Sequence, residues 1–252
     1  MTNYLAPLEK MKLPAKYEKN VQKIIECLKP REDFGDIKFD YRPPAIRIKQ
    51  KSTSSAPEMA KNGDLYSPDL GEIIERPLRV VFLLPFYTRV KFTDSGIGCR
   101  SNDGKTSIYG DTCETCADKE KCKFQLNILA SNPEFSKLYH LMFSSTSFGA
   151  GQKALRQIRN SQDVLWQRIH EINTQEASSA KGNYYVFKVE YTQEKIPDEA
   201  LEIGKALHDV LSESRKTALE SANKLQKESA EAVEALENED IDNSQDPDFT
   251  DL

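Results

Sequence analysis

The chain has 252 residues, 35 Lys and Arg against 40 Asp and Glu, a formal charge of −5 and only 38% hydrophobic residues, which suits one substantial domain with appended arms. Met1 to Leu13 lacks a sustained apolar run and no later window is long enough to span a bilayer, so the sequence predicts a cytoplasmic protein without membrane contact. The charge is unevenly spread: beyond Lys227 there are ten acids and no basic residue, leaving 30 acids against 35 basic residues in residues 1–227. A mildly basic body joined to an acidic tail fits a polyanion binder whose tail competes for the basic surface or recruits partners, and equally a merely solubilising tail.

Ala15 to Lys29, bracketed by Pro14 and Pro30, places Tyr17, Val21, Ile24, Ile25 and Leu28 at helical spacing, and closes an N-terminal arm of residues 1–41. A core of residues 42–195 follows. Ala45 to Gln50 alternates apolar and basic residues, a strand with Arg47 and Lys49 on its positive face. A Ser-rich loop, a short element at Leu65-Tyr66 and a turn at Asp69 to Glu72 precede Pro77 to Phe92, the most strand-like run, with a bend expected near Pro85. If Phe86, Val90 and Phe92 point inward, period two turns Tyr87, Arg89 and Lys91 outward. That gives a ring for stacking bases beside two charges for phosphates, or else an ordinary half-exposed strand.

Residues 93–124 form a polar loop holding Cys99, Cys113, Cys116 and Cys122. Four thiolates, two in a Cys-x-x-Cys step, suit a structural Zn²⁺ that replaces the apolar core so short a segment lacks. A disulfide pair, an iron–sulfur cluster and unlinked thiols are the other uses of such cysteines. Arg100 and Lys105 lie in the same loop and are candidates to fold over a bound strand. His140, beside Tyr139 and Leu141, reads as a packed residue rather than a ligand.

Beyond the loop the sequence predicts a short helix at Lys123 to Leu129, a strand at Lys137 to Ser145, and a helix at Gly149 to Asn160 exposing Lys153, Arg156 and Arg159. Leu165 to Thr174 and Tyr184 to Glu194 read as a hairpin around Ser178 to Asn183; Phe86, Phe92, Tyr185 and Tyr191 are further stacking candidates, and Trp166 belongs to the core. From Pro197 the period changes to 3.6, giving a C-terminal helix over 196–237 before a disordered acidic tail at 238–252. The fold class is α+β with a mostly β core.

No nucleophile–base pair, phosphate loop or paired-carboxylate site stands out, so an enzyme is not expected. Four cysteines would also close a zinc shell against water. Helix-turn-helix and C₂H₂ patterns are absent too, which argues against sequence-specific duplex reading.

The Pro43-Pro44-Ala45-Ile46-Arg47-Ile48-Lys49-Gln50 phrase, then Gly63-Asp64-Leu65-Tyr66, the long apolar strand through Arg89, and Gly98-Cys99-Arg100-Ser101-Asn102-Asp103-Gly104 with Cys113 and Cys116 together resemble the zinc-containing single-stranded DNA-binding proteins of bacteriophages. The resemblance covers about residues 42 to 195. It implies an oligonucleotide-binding (OB-fold-like) β-barrel, single-stranded DNA as partner with little sequence preference, and a place in phage replication or recombination within the host cytoplasm. The tail phrase Asp246-Pro247-Asp248-Phe249-Thr250-Asp251-Leu252 is similar to acidic tails that engage replication proteins, which implies partner contacts at Asp248, Phe249 and Asp251. The competing reading is a zinc-ribbon transcription regulator or polymerase-binding adaptor. It gains if the C-terminal helix self-associates through Leu207, Val210, Leu211 and Leu225, and the DNA-binding reading gains if that helix packs on the core.

Overall fold

The computed structural model describes residues 5–29, 43–93, 96–107, 109, 112–180 and 182–242. The tail positions Asp248, Phe249 and Asp251 lie outside them. Helices α1 (Ala6–Glu9) and α2 (Ala15–Leu28) come first. In α2 the predicted stripe of Tyr17, Val21, Ile24, Ile25 and Leu28 is the buried face, because residues three and four apart share one side of a helix.

Nine strands follow among the described residues: β1 (Ala45–Ile48), β2 (Leu65–Ser67), β3 (Glu72–Ile74), β4 (Leu78–Thr93), β5 (Gly96–Ser101), β6 (Cys122–Ser131), β7 (Leu138–Ser144), β8 (Arg168–Ser179) and β9 (Gly182–Lys195). Helix α3 (Phe148–Ser161) joins β7 to β8, and α4 (Asp198–Asp242) ends the described chain. The strands form one sheet in the order β3-β2-β1-β7-β6-β4-β8-β9, with β5 also paired to β4. All its ladders are antiparallel except β1 with β7.

The expected closed barrel is not formed: the sheet is open. Among the described residues no backbone ladder joins its β3 and β9 ends. Side chains cover part of the β9 edge instead. The Gln50 amide accepts from Tyr185 N at 2.9 Å and donates to Tyr185 O at 2.7 Å, and Ser147 Oγ accepts from Phe187 N at 3.1 Å. An edge strand whose N–H groups are already used is protected from pairing with another chain.

Both faces of the sheet are covered. On one, α1, α2 and α4 pack Leu8, Tyr17, Val21, Ile25, Ile203, Leu207 and Val210 against Val81, Leu83 and Ile169. On the other, α3 packs Ala154 and Ile158 against Val80, Phe82, Leu126, Ile128, Leu141 and Phe143. Gly151 permits that approach, since a Cβ there would stand 2.8 Å from Phe143 Cγ and 2.9 Å from Leu126 Cδ2. Trp166 is a packing residue against α4, where a Cβ on Gly204 would meet its ring at 2.5 Å.

β4 organises the site. Its register with β6 slips between Phe82 and Leu84, just before Pro85, which stays in the strand opposite Ile128. The slip lets Leu83 and Leu84 both join the α4-side core. Past it, Tyr87 turns toward α3, its ring 6.2 Å from that of Phe148, while Phe86 turns toward α4. β8 pairs with Leu78–Val81 and β5 with Arg89–Thr93 along the same edge of β4. Between them His208 Nδ1 donates to the Leu83 carbonyl at 2.6 Å.

Three local expectations are corrected. Lys123 to Leu129 is part of strand β6, not a helix, because Phe124, Leu126 and Ile128 alternate with Gln125, Asn127 and Leu129 across the pleat. The β8–β9 hairpin runs on to Ser179 opposite Gly182, a tighter turn than the Ser178 to Asn183 loop. Helix α4 continues through Asn238 to Asp242, beyond the expected end at residue 237 and into the segment expected to be disordered.

Candidate nucleic-acid interface

β4, β5 and β6 extend past the main sheet as a three-stranded arm, and its two faces differ in chemistry. Tyr87, Arg89 and Lys91 share the α3 side, as alternation requires. Tyr87 is 41% exposed and opens on a groove of about 330 Å³ lined with Gln152, Leu155, Arg156 and Arg159 of α3. Both arginines are exposed, and neither they nor Lys153 have a carboxylate partner among the described residues. An exposed ring beside unneutralised cations can take an unpaired base and its phosphates.

Arg89 and Lys91, the expected phosphate contacts beside Tyr87, are engaged elsewhere. The Arg89 guanidinium is buried 4.0 Å from the Phe124 ring centroid and donates to the Cys113 carbonyl at 3.3 Å. Lys91 is bonded to Asp118, which raises the lysine's pKa. Hydrogen bonds from Lys121 and Lys91 bring the Asp118 carboxyl down to about 2.

On the α4 side Phe86 is capped by the Arg215 guanidinium at 3.5 Å and stacks on His140 at 6.1 Å. Arg215 also donates to the Asn102 carbonyl, and burial lowers its pKa. Asn127 ties this shelf together, at 2.9 Å from both His140 Nε2 and Thr88 Oγ1. Farther out the same face exposes Phe92 and Ile97, with Lys123 Nζ 5.8 Å from the Phe92 centroid.

The remaining predicted residues are scattered. Arg47, Arg100 and Lys105 are exposed on β1, β5 and the following loop. Lys49 Nζ donates to the Thr53 carbonyl at 2.5 Å. Tyr185 packs on Gly63, whose φ of +89° and absent side chain leave room for the ring. Tyr191 donates to Asp163 Oδ2 at 2.5 Å beneath the Arg168 guanidinium. Hydrogen bonds from Arg168 and Tyr191 hold the Asp163 carboxyl far below the ordinary carboxylate range.

The cysteines gather at the distal end of the arm. Cys99 on β5 and Cys122 on β6 stand opposite Lys91 on its two sides, so register brings them to one face. Burial raises the Cys122 thiol's pKa, and the nearby thiols of Cys99, Cys116 and Cys113 raise it further. All five cysteines are free. The donor set suits a soft ion, yet no three described His, Cys, Asp or Glu side chains stand ready-made as a metal-binding group.

Sequence reasoning missed Phe124, Gln152 and Leu155. The alternation from Lys123 to Ile128 was the available signal for Phe124. No protein-family model matches the chain, and no curated protein or solved structure matches it.

Proposed function

We propose that this chain is a non-enzymatic single-stranded DNA-binding protein of the phage replication or recombination type, with little sequence preference. The observation that carries the reading is the exposed Tyr87 ring in a groove with Arg156 and Arg159, which have no carboxylate partner among the described residues. Tyr87 stacks a base, and the two arginines take the flanking phosphates. The groove lies on one face of an open sheet, so the reading needs no closed OB barrel. Lys105, exposed in the loop after β5, adds a charge to the arm, whereas Phe92 and Arg100 lie on its opposite face and Arg47 stands apart on β1.

Cys99, Cys113, Cys116 and Cys122 would hold a structural Zn²⁺ that braces the end of the arm. Asp248, Phe249 and Asp251 serve as a partner-docking segment for replication or recombination proteins. Against the adaptor reading, Leu207, Val210 and Leu211 are buried in the chain's own core, so that part of α4 has no apolar stripe left for a second helix. Direct titration of labelled oligo-dT at low salt tests the proposal. Saturable binding is expected, and no binding would overturn it.

A further inference from the structure

We infer that Phe124 is a second stacking ring, so that the interface holds two successive unpaired bases, one on Tyr87 and one on Phe124. This rests on the DNA-binding reading above. Phe124 stands opposite Arg89 and Tyr87 opposite Leu126 in the β4–β6 ladder, which puts the two rings on the same face as diagonal neighbours. Leu126 and Ile128, the next residues of that face along β6, are fully buried, whereas Phe124 remains 44% exposed. The apolar face thus runs out from the core into solvent and ends on an aromatic ring.

Arg89 supports this ring. Its buried guanidinium lies 4.0 Å from the Phe124 centroid and is anchored to the Cys113 carbonyl. A cation on one side of the ring is an electrostatic contact that holds the phenyl group in place without covering it completely. The arginine expected to touch DNA therefore acts one step removed, as a positioning residue.

Spacing selects the ligand. Diagonal neighbours across an antiparallel pair stand about 7 Å apart, roughly twice the 3.4 Å per-strand rise of duplex DNA. Adjacent bases reach both rings only when the strand is drawn out of helical stacking, a geometry open to a single strand and closed to a duplex.

Phe124→Leu and Phe124→Trp test the assignment, with oligo-dT affinity measured at low salt and urea unfolding as the control for folding. Leucine keeps the apolar contact and loses the aromatic face, so affinity should fall about 5- to 150-fold, the range for losing one stacked base, while tryptophan keeps it. Phe124→Leu at wild-type affinity would overturn the second ring and leave the DNA-binding reading intact; failure of the wild-type chain to bind would overturn both. Photocrosslinking of the wild-type protein to an iododeoxyuridine-substituted strand is independent of any variant's folding. Adducts at both Phe124 and Tyr87 are expected, and adducts at Tyr87 alone would refute the inference.

Discussion

Removing the α3 cations should change how binding responds to salt as well as how tight it is. Arg156 and Arg159 line the groove beside Tyr87 and have no carboxylate partner among the described residues, so each is available to neutralise one phosphate. For a single strand every neutralised phosphate adds about −0.7 to the slope of log affinity against log salt. Arg156→Ala with Arg159→Ala should therefore flatten that slope by about 1.4. Between 50 and 200 mM salt, the affinity gap between wild type and variant should close by roughly sevenfold. Neither arginine belongs to the buried face of α3, which is Gly151, Ala154 and Ile158, so the variant should fold normally. Fluorescence anisotropy with labelled oligo-dT at four or five salt concentrations gives both slopes. An unchanged slope, whatever the affinity, would refute the assignment of these arginines to phosphates.

Three further outcomes follow from the packing and the cysteine cluster. His170 is fully buried against Phe82 with neither ring nitrogen hydrogen-bonded among the described residues, and burial lowers its pKa to about 4. Between pH 6.5 and 4 the unfolded chain takes up a proton that the folded chain refuses, so stability is lost as pH falls through that window, by about 2.5 kcal/mol at pH 4.5. Urea titrations at pH 7 and 4.5 should show His170→Phe escaping that loss; an equal loss in wild type and variant would place the acid sensitivity elsewhere. Gly151→Val should cost about 1–3 kcal/mol through overpacking against Phe143 and Leu126, and an unchanged urea midpoint would contradict so close an approach of α3. Elemental analysis after dialysis should find about one zinc per chain, lost in Cys113→Ser with Cys116→Ser; a metal-free wild type prepared with zinc present would remove the structural-zinc proposal.

Local periodicity carried much of the fold. The α2 stripe, the long β4 strand, the β8–β9 hairpin and the start of α4 at Asp198 could all be read because their apolar spacing is regular and proline or turn residues mark their ends. β6 does not read as a strand because Lys123-Phe124-Gln125 opens it with too little apolar character to declare one, and its buried residues gain meaning only between β4 and β7. Closure was not legible at all. Whether β9 meets another strand depends on Gln50 and Ser147 reaching its edge, which no local pattern encodes.

The candidate site divides in the same way. Alternation correctly placed Tyr87, Arg89 and Lys91 on one face, but which of the three stays open depends on partners remote in sequence. Phe124 and Cys113 bury Arg89, and Asp118 binds Lys91. Arg156 and Arg159 were visible as exposed cations on a helix, and only the packing of α3 across the sheet brings them to Tyr87. Tyr185 and Tyr191 have the composition of stacking residues but make structural contacts with Gly63 and Asp163. Aromatic residue type indicates a candidate; the space left around the ring decides its use.

Competition is the most direct test of single-strand recognition. Labelled oligo-dT bound to the protein is challenged with unlabelled oligo-dT and with a matched duplex, at low and at high salt. The account predicts that the single strand displaces the probe at far lower concentration than the duplex and that binding weakens steeply with salt. Equal displacement by the two competitors would contradict it.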